Sequence, residues 1–310
     1  MNPRWSGAAL VLALILLSHA AIFIRMAEAH ALAILFWRLL MALPIMALIV
    51  YKEIRTKTEP PLMGRADRIA IWGAGVLLFI HFVSFFVAVQ RTSVAASNIL
   101  FTLNPVTTAA GAWLLHRHSL QLRLAASMTL GILGVLALFG PWLWSESSTF
   151  DLWGGLMGVL SAVSFSAYLL TSRQVRRRLS NPRFTLELWT VALILAGISM
   201  LIFDIPFLGY SDKTWWAFLA LAWLPTLLGH AIFTWCLNHF DINALSCATL
   251  SEPIIAAAVA YWLFGENLSF AEVLAFLLTS ASIALLTWPW LRGQWNRRLG
   301  ENRSQSEAQL

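Results

Sequence analysis

Charge is what this sequence has little of. Only 12% of its 310 residues are charged, while 59% are hydrophobic. A soluble domain carries about twice that charged share, so most of this chain has lipid as its solvent. Cysteine is scarce as well. Cys236 and Cys247 are the only two, and both fall inside apolar runs, which excludes a disulfide framework or a cysteine zinc site. Also missing are a His-Glu-x-x-His, a Gly-x-Ser-x-Gly, a phosphate-cradling loop and any pair of intramembrane aspartates. No hydrolytic constellation can be assembled without them. The expectation is therefore no enzyme, no cofactor and no metal, and an ATP-driven pump would need a separate subunit. A formal charge of +6 would suggest nucleic acid if it formed a stripe on a soluble face. Here the basic residues sit in the gaps between apolar runs, so no nucleic-acid partner is expected.

What is present is a series of apolar runs long enough to cross a bilayer, for which about 20 residues are needed. They cover 5–24, 31–51, 69–89, 93–115, 124–144, 152–172, 184–203, 214–237, 242–264 and 269–291. The sequence thus predicts an all-α polytopic membrane protein with ten transmembrane helices and a polar tail over 292–310. Arg4 before an apolar run and the Ser18-His19-Ala20 triplet resemble a secretory leader, which the internal repeat argues against. Basic residues fix the orientation. With a cytoplasmic N-terminus, 17 of the 21 lysines and arginines fall in cytoplasmic segments. Only Arg25, Arg91 and Lys213 fall on the far side, and Arg38 lies within a span. The predicted setting is the cell inner membrane, multi-pass, with both termini cytoplasmic.

Sliding the sequence by 148 positions brings two halves into register, 5–144 on 152–291. Trp5 then meets Trp153, Ser18 meets Ser166, Ala96 meets Ala244, Pro105 meets Pro253 and Leu115 meets Leu263. Compensating gaps are needed around the second and third spans. Each half holds five spans, an odd number, so the second half enters from the opposite side and the repeat is inverted. Inverted repeats are characteristic of secondary transporters, whose two halves exchange conformations to alternate access. A channel would instead need repeated filter rings, and a scaffold would need no polar groups at mid-span.

Several motifs carry a resemblance. His81-Phe82, Thr92-Ser93-Val94-Ala95-Ala96-Ser97 and Pro105 in the first half, with Gly229-His230, Glu252-Pro253, Ala260 and Phe264-Gly265-Glu266 in the second, are similar to EamA-type members of the drug/metabolite transporter superfamily. The resemblance runs from about Gly7 to Trp288. It implies two inverted five-helix EamA-like repeats around a central substrate cavity; the partners expected are a small-molecule substrate, membrane lipid and a second copy in a homodimer. The resemblance permits amino acids, metabolites, metallophores or drugs, with efflux commoner than uptake. The reading taken is a secondary transporter that exports amino acids or related metabolites, its proton coupling an expectation drawn from Glu252. A facilitator or uptake carrier is the alternative, and a membrane-embedded enzyme or scaffold the alternative of another class. The first half departs from the pattern. His116-Arg117-His118 stands where Phe264-Gly265-Glu266 does, and Asn104 stands where Glu252 does.

Ionisable groups at mid-membrane are costly and mark functional candidates. Glu252, beside the helix-breaking Pro253, is the candidate proton carrier, against the alternative of a protonated structural glutamate. His81 and His230 lie one position apart in the repeat register and are candidates for a shared substrate site. The alternative for each is hydrogen-bonded packing. Arg38 pairs with Glu187 of the counterpart span, binds a substrate carboxylate, or snorkels to the interface. Asn98 and Asn104 supply neutral hydrogen bonds, and Trp189 and Trp235 supply aromatic walls. Gly154 and Gly158 read as a helix contact. Glu266 and Glu272, near span ends, need no functional explanation. Among sixteen tryptophans, Trp153, Trp215 and Trp216 are among those that read as interfacial anchors.

Overall fold

Helix boundaries follow the stop signals in the sequence. The computed structural model describes residues 3–56, 64–116, 122–144, 151–172, 179–236, 248–249 and 251–285. Every regular element among them is helical. The elements are α1 (Pro3–Met26), α2 (Ala31–Thr56), α3 (Arg65–Arg91), α4 (Val94–Phe101), α5 (Asn104–His116), α6 (Leu122–Trp144), α7 (Leu152–Ser172) and α8 (Asn181–Ile202). Then come α9 (Asp212–Leu221), a π-helical segment (Ala222–Gly229), α10 (His230–Cys236), α11 (Ser251–Phe264) and α12 (Phe270–Leu285). Hydroxyl caps begin several of them. Ser93 Oγ accepts from Ala96 N at 2.9 Å at the start of α4, and Ser211 Oγ accepts from Thr214 N at 3.3 Å at the start of α9.

Seven helices among the described residues are long and apolar enough to cross a membrane: Gly7–Met26, Ala31–Thr56, Arg65–Arg91, Leu122–Gly140, Leu152–Ser172, Asn181–Ile202 and Asp212–Phe233. Ser251–Phe264 and Phe270–Leu285 are apolar but shorter. The predicted single span over 93–115 is instead two helices, α4 and α5, separated by Thr102 and Leu103. Proline at 105 is the reason, since it has no N–H to continue the helical ladder. The tail over 292–310 lies outside the described residues.

The outer surface carries large apolar side chains that water would not tolerate, among them Leu48, Trp72, Ile132, Ile198, Trp262 and Leu277. Trp153 and Trp216 are exposed in the same way, whereas Trp215 packs edge-on against Trp37 at 4.6 Å. Lipid is as apolar as leucine, so helix association depends on close packing and polar links rather than on the hydrophobic effect. The main seams are α3 against α7 and α8, α2 against α8, and α1 against the α9–π–α10 rod and α11. Helix α4 rests on both α7 and α11. Phe86, Phe184, Phe218, Ile34 and Leu188 fill the interior.

Close approach along α7 requires glycine. A Cβ on Gly154 would lie 2.7 Å from Arg91 Cβ and 2.8 Å from Thr92 Cγ2, and one on Gly158 would lie 2.6 Å from Leu100 Cδ1. Next to this seam Asp151 caps α7. Its Oδ1 accepts from Gly154 N at 2.8 Å and its Oδ2 from Arg91 Nη1 at 3.0 Å. The Gly154 amide and then Arg91 hold its carboxyl below the usual range. Gly73, in α3, meets nothing within 4 Å. Gly154→Ala is therefore expected to cost about 1–3 kcal/mol, and Gly73→Ala to be neutral or slightly stabilising. Thermal unfolding of the two purified variants in detergent checks this, and equal melting points would reject the close-packed seam.

Candidate functional site

Two prolines interrupt helices inside the bundle, and the residues beside them make the site. Pro225 lacks the N–H that would bond to the Leu221 carbonyl four residues back. The Thr226 hydroxyl donates to that carbonyl instead, at 2.7 Å. The backbone answers by widening into the π-helical segment, a feature often found at functional positions. Thr226 Oγ1 also accepts from Arg38 Nε at 2.6 Å. Pro105 frees the Phe101 carbonyl by the same mechanism, and there the Asn104 side-chain amide donates to it at 3.0 Å.

Arg38 is only 4% exposed. Its guanidinium lies 4.6 Å from the centre of the Phe82 ring and 5.6 Å from that of Phe86. Pairing with Glu187 does not occur. Glu187 takes Arg183, four residues earlier on its own helix, at 3.6 Å. Burial overturns snorkelling as well, because α2 sets position 38 towards α3 and the π segment rather than towards the rim. Among the described residues no carboxylate comes within ion-pair distance of Arg38.

His81 is buried on α3. Its Nδ1 lies 2.9 Å from Ser161 Oγ and 3.2 Å from the Ser161 carbonyl oxygen on α7. Aromatic rings surround it, with centroids at 4.9 Å for Phe165, 5.1 Å for Phe82, 5.1 Å for Phe101 and 6.2 Å for Phe85. His230 opens α10, one residue past the π segment, and remains exposed. Both histidines lie within electrostatic range of Arg38, and His81 also of His230. Arg38, His81 and His230 thus lie within electrostatic range of one another on α2, α3 and α10. Trp189 is buried in the same apolar core.

The remaining candidates stand elsewhere. Asn98 is buried and donates to the Val94 carbonyl of its own helix at 2.8 Å. The Asn104 carbonyl accepts from Ser166 Oγ at 3.0 Å, and that hydroxyl lies 2.6 Å from Thr107 Oγ1, so α5 and α7 are tied by a polar ladder. Glu252 is half-buried in the first turn of α11, and its carboxylate has no hydrogen bond to any described residue. The Trp235 side chain lies outside what the structure describes. Ser161 and Thr226 carry bonds that reading the sequence missed. A hydroxyl directly after an in-helix proline was the signal available for Thr226.

A second polar network closes one end of the bundle. Arg25 Nη1 donates to the carbonyls of Val89 at 2.7 Å, Thr92 at 3.0 Å and Gln90 at 3.2 Å, and Arg25 Nη2 pairs with Glu266 Oε1 at 2.7 Å. Glu266 Oε2 accepts from Val94 N at 2.9 Å. Glu272 accepts from the Ser93 hydroxyl, and its other oxygen from Ser269 N at 2.6 Å. Lys213 and Glu28 pair at 2.7 Å at the same end. Glu266 and Glu272, for which position near a span end predicts no role, fasten the α3–α4 turn.

Lipid-facing helices around a buried cluster of charge, imidazole and aromatic rings define a multi-pass membrane protein with polar chemistry in its interior. The chain belongs to the EamA-like transporter family, whose model matches residues 5–140 and again 152–288. It is a membrane transporter. It is 24% identical over 285 residues to a protein named as an uncharacterized transporter from Archaeoglobus fulgidus, covering 92% of this chain and 97% of that one. A second protein so named, from Synechocystis sp., is 24% identical over 281 residues, covering 86% and 82%. A WAT1-related chloroplastic protein of Arabidopsis thaliana is 25% identical over 208 residues, 64% of this chain and 50% of that one. A solved crystal structure matches in fold with a TM-score of 0.58 at 18% identity, covering 93% and 98%.

The Thr226 hydroxyl serves two buried partners, so its removal strands both. Thr226→Val is expected to cost about 3 kcal/mol, since an unpaired buried polar group alone costs about 1–3 kcal/mol and a charged one more. Thr226→Ser should stay near wild type. Comparing the two by thermal unfolding in detergent tests the assignment, and a valine variant as stable as the serine variant would reject it.

Proposed function

We propose that this transporter is a secondary exporter of small organic metabolites. It works by alternating access between two inverted five-helix repeats, in the inner membrane, with both termini cytoplasmic and Glu252 as its proton carrier. Two matches of one family model along the chain support the two-repeat reading. So does the pattern of seams. Helix α3 packs on α7, and its counterpart, the α9–π–α10 rod, packs on α1. The break before Asn104-Pro105 recurs before Glu252-Pro253, where the Glu252 N–H donates to the Thr249 carbonyl at 3.0 Å. In the first half the side-chain amide is spent on the break, whereas in the second the backbone serves and the carboxyl is left for protons.

The observation that carries the reading is the Arg25–Glu266 clamp. It joins the first span to the turn between the last two, and so ties one half to the other at the end where Glu28 and Lys213 also pair, while Ser180–Glu53 and Ser127–Ser282 link the halves elsewhere. With the basic residues cytoplasmic, that end is the outer one, and the clamp is read as part of an outer gate. Glu266→Gln should shift the population outward. The measurement is maleimide labelling from outside of a cysteine at position 101, with Cys236 and Cys247 replaced by alanine. A several-fold faster rate is expected. An unchanged rate with a lowered melting point would make the clamp purely structural.

Metabolomics of medium from overexpressing and deleted strains tests the exporter reading itself, and no solute differing between them would reject it. For coupling, Glu252→Gln should abolish export driven by a pH gradient in proteoliposomes while sparing exchange of labelled for unlabelled solute. Gradient-driven export at the wild-type rate would replace proton coupling by facilitated diffusion.

A further inference from the structure

We propose that Arg38 anchors the substrate, and that the substrate is a small organic anion: a carboxylate, or a like planar oxyanion, on an apolar body. The inference rests on the transporter reading above and narrows it to one chemical class.

A fully buried cation is expensive inside a membrane protein unless an anion or a cavity compensates it. Arg38 is buried, and the four ion pairs among the described residues leave it out. Its Nε donates to Thr226 Oγ1 at 2.6 Å. The two terminal nitrogens have no hydrogen-bond partner among the described residues. The guanidinium carbon stands over the Phe82 and Phe86 rings. Rings there offset part of the charge, but they offer no acceptor to N–H groups that point outward in the plane. A bidentate oxyanion is the partner that fork is shaped for.

The neighbours strengthen the case by their sign. His81 and His230, both in electrostatic range, are neutral or positive in every protonation state, so neither supplies the missing negative charge. Next to the cation stands the aromatic group of Phe82, Phe85, Phe101 and Phe165 around His81. That surface suits a flat or apolar body carrying the carboxylate. Glu252 belongs to neither group. Substrate charge and proton coupling therefore fall on different residues.

The test uses three probes of one shape and three charges: sodium benzoate, benzamide and benzylamine hydrochloride, against sodium chloride at equal ionic strength. Thermal unfolding of the purified full-length protein in detergent is the readout. Benzoate alone should raise the melting temperature saturably. Arg38→Lys, which keeps the charge and loses the fork, should weaken the apparent affinity roughly tenfold, and Arg38→Gln should remove the shift. Stabilisation by benzamide or benzylamine equal to that by benzoate would overturn the proposal. So would no stabilisation by any probe, or a benzoate shift that survives Arg38→Gln. If Arg38→Gln does not fold, the charge series on the wild type and the lysine variant decide. The strain comparison separates the two readings. Release of only neutral or cationic solutes overturns the anion proposal and leaves the exporter standing. Release of none overturns the exporter whatever benzoate does.

Discussion

A carbonyl that has lost its α-helical amide is the constraint around which this interior is arranged. Lipid offers no hydrogen bonds, so a proline in a membrane helix leaves an acceptor that another group must satisfy. At Leu221 that group is the Thr226 hydroxyl, and at Phe101 it is the Asn104 amide. Each repair needs a polar side chain at mid-membrane depth. Thr226 has one proton, already given to Leu221, so towards its other neighbour it acts only as an acceptor. A donor must stand there, and Arg38 does. The position of the charged group thus follows from the backbone defect opposite it.

The histidine cluster is held by a different rule. Helices α3 and α7 approach closely because Gly154 and Gly158 remove the side chains that would keep them apart. Ser161, one turn further along α7, then reaches His81. Close packing and polar contact come from the same face of one helix. This is how a bundle with no hydrophobic driving force between its helices acquires a unique arrangement.

Much of the fold was legible in the sequence, because apolar run length and stop residues are local signals. Helices lie in every one of the predicted runs, with the 242–264 run described only in its latter part. The break at Thr102 was less legible. Asn104-Pro105 was visible, but whether a proline kinks a helix or divides it depends on what repairs the carbonyl. Among site residues, Arg38, His81 and His230 stood out by chemistry alone. Their partners did not, since Thr226 is 188 residues from Arg38 and Ser161 is 80 from His81. The Arg38–Glu187 pairing failed because Arg183 is a nearer partner on the same helix. Glu266 and Glu272 looked like ordinary span-end acids. Their bonds go to a turn some 170 residues away, and nothing local announces them.

The π segment accounts for an oddity in the sequence. His81 and His230 miss each other by one position when the halves are aligned, so on residue count alone they are not twins. A π turn closes its hydrogen-bonded ring with one residue more than an α turn, and this one spans Ala222–Gly229, immediately before His230. Such a segment has the form of a single-residue insertion absorbed within a helix. The extra residue rotates and advances everything after it, so His230 stands in range of His81 and Arg38. Deleting one residue between Ala222 and Gly229 would bring His230 onto His81 on paper, at the cost of the Pro105–Pro253 match, and turn His230 away from the cluster in space.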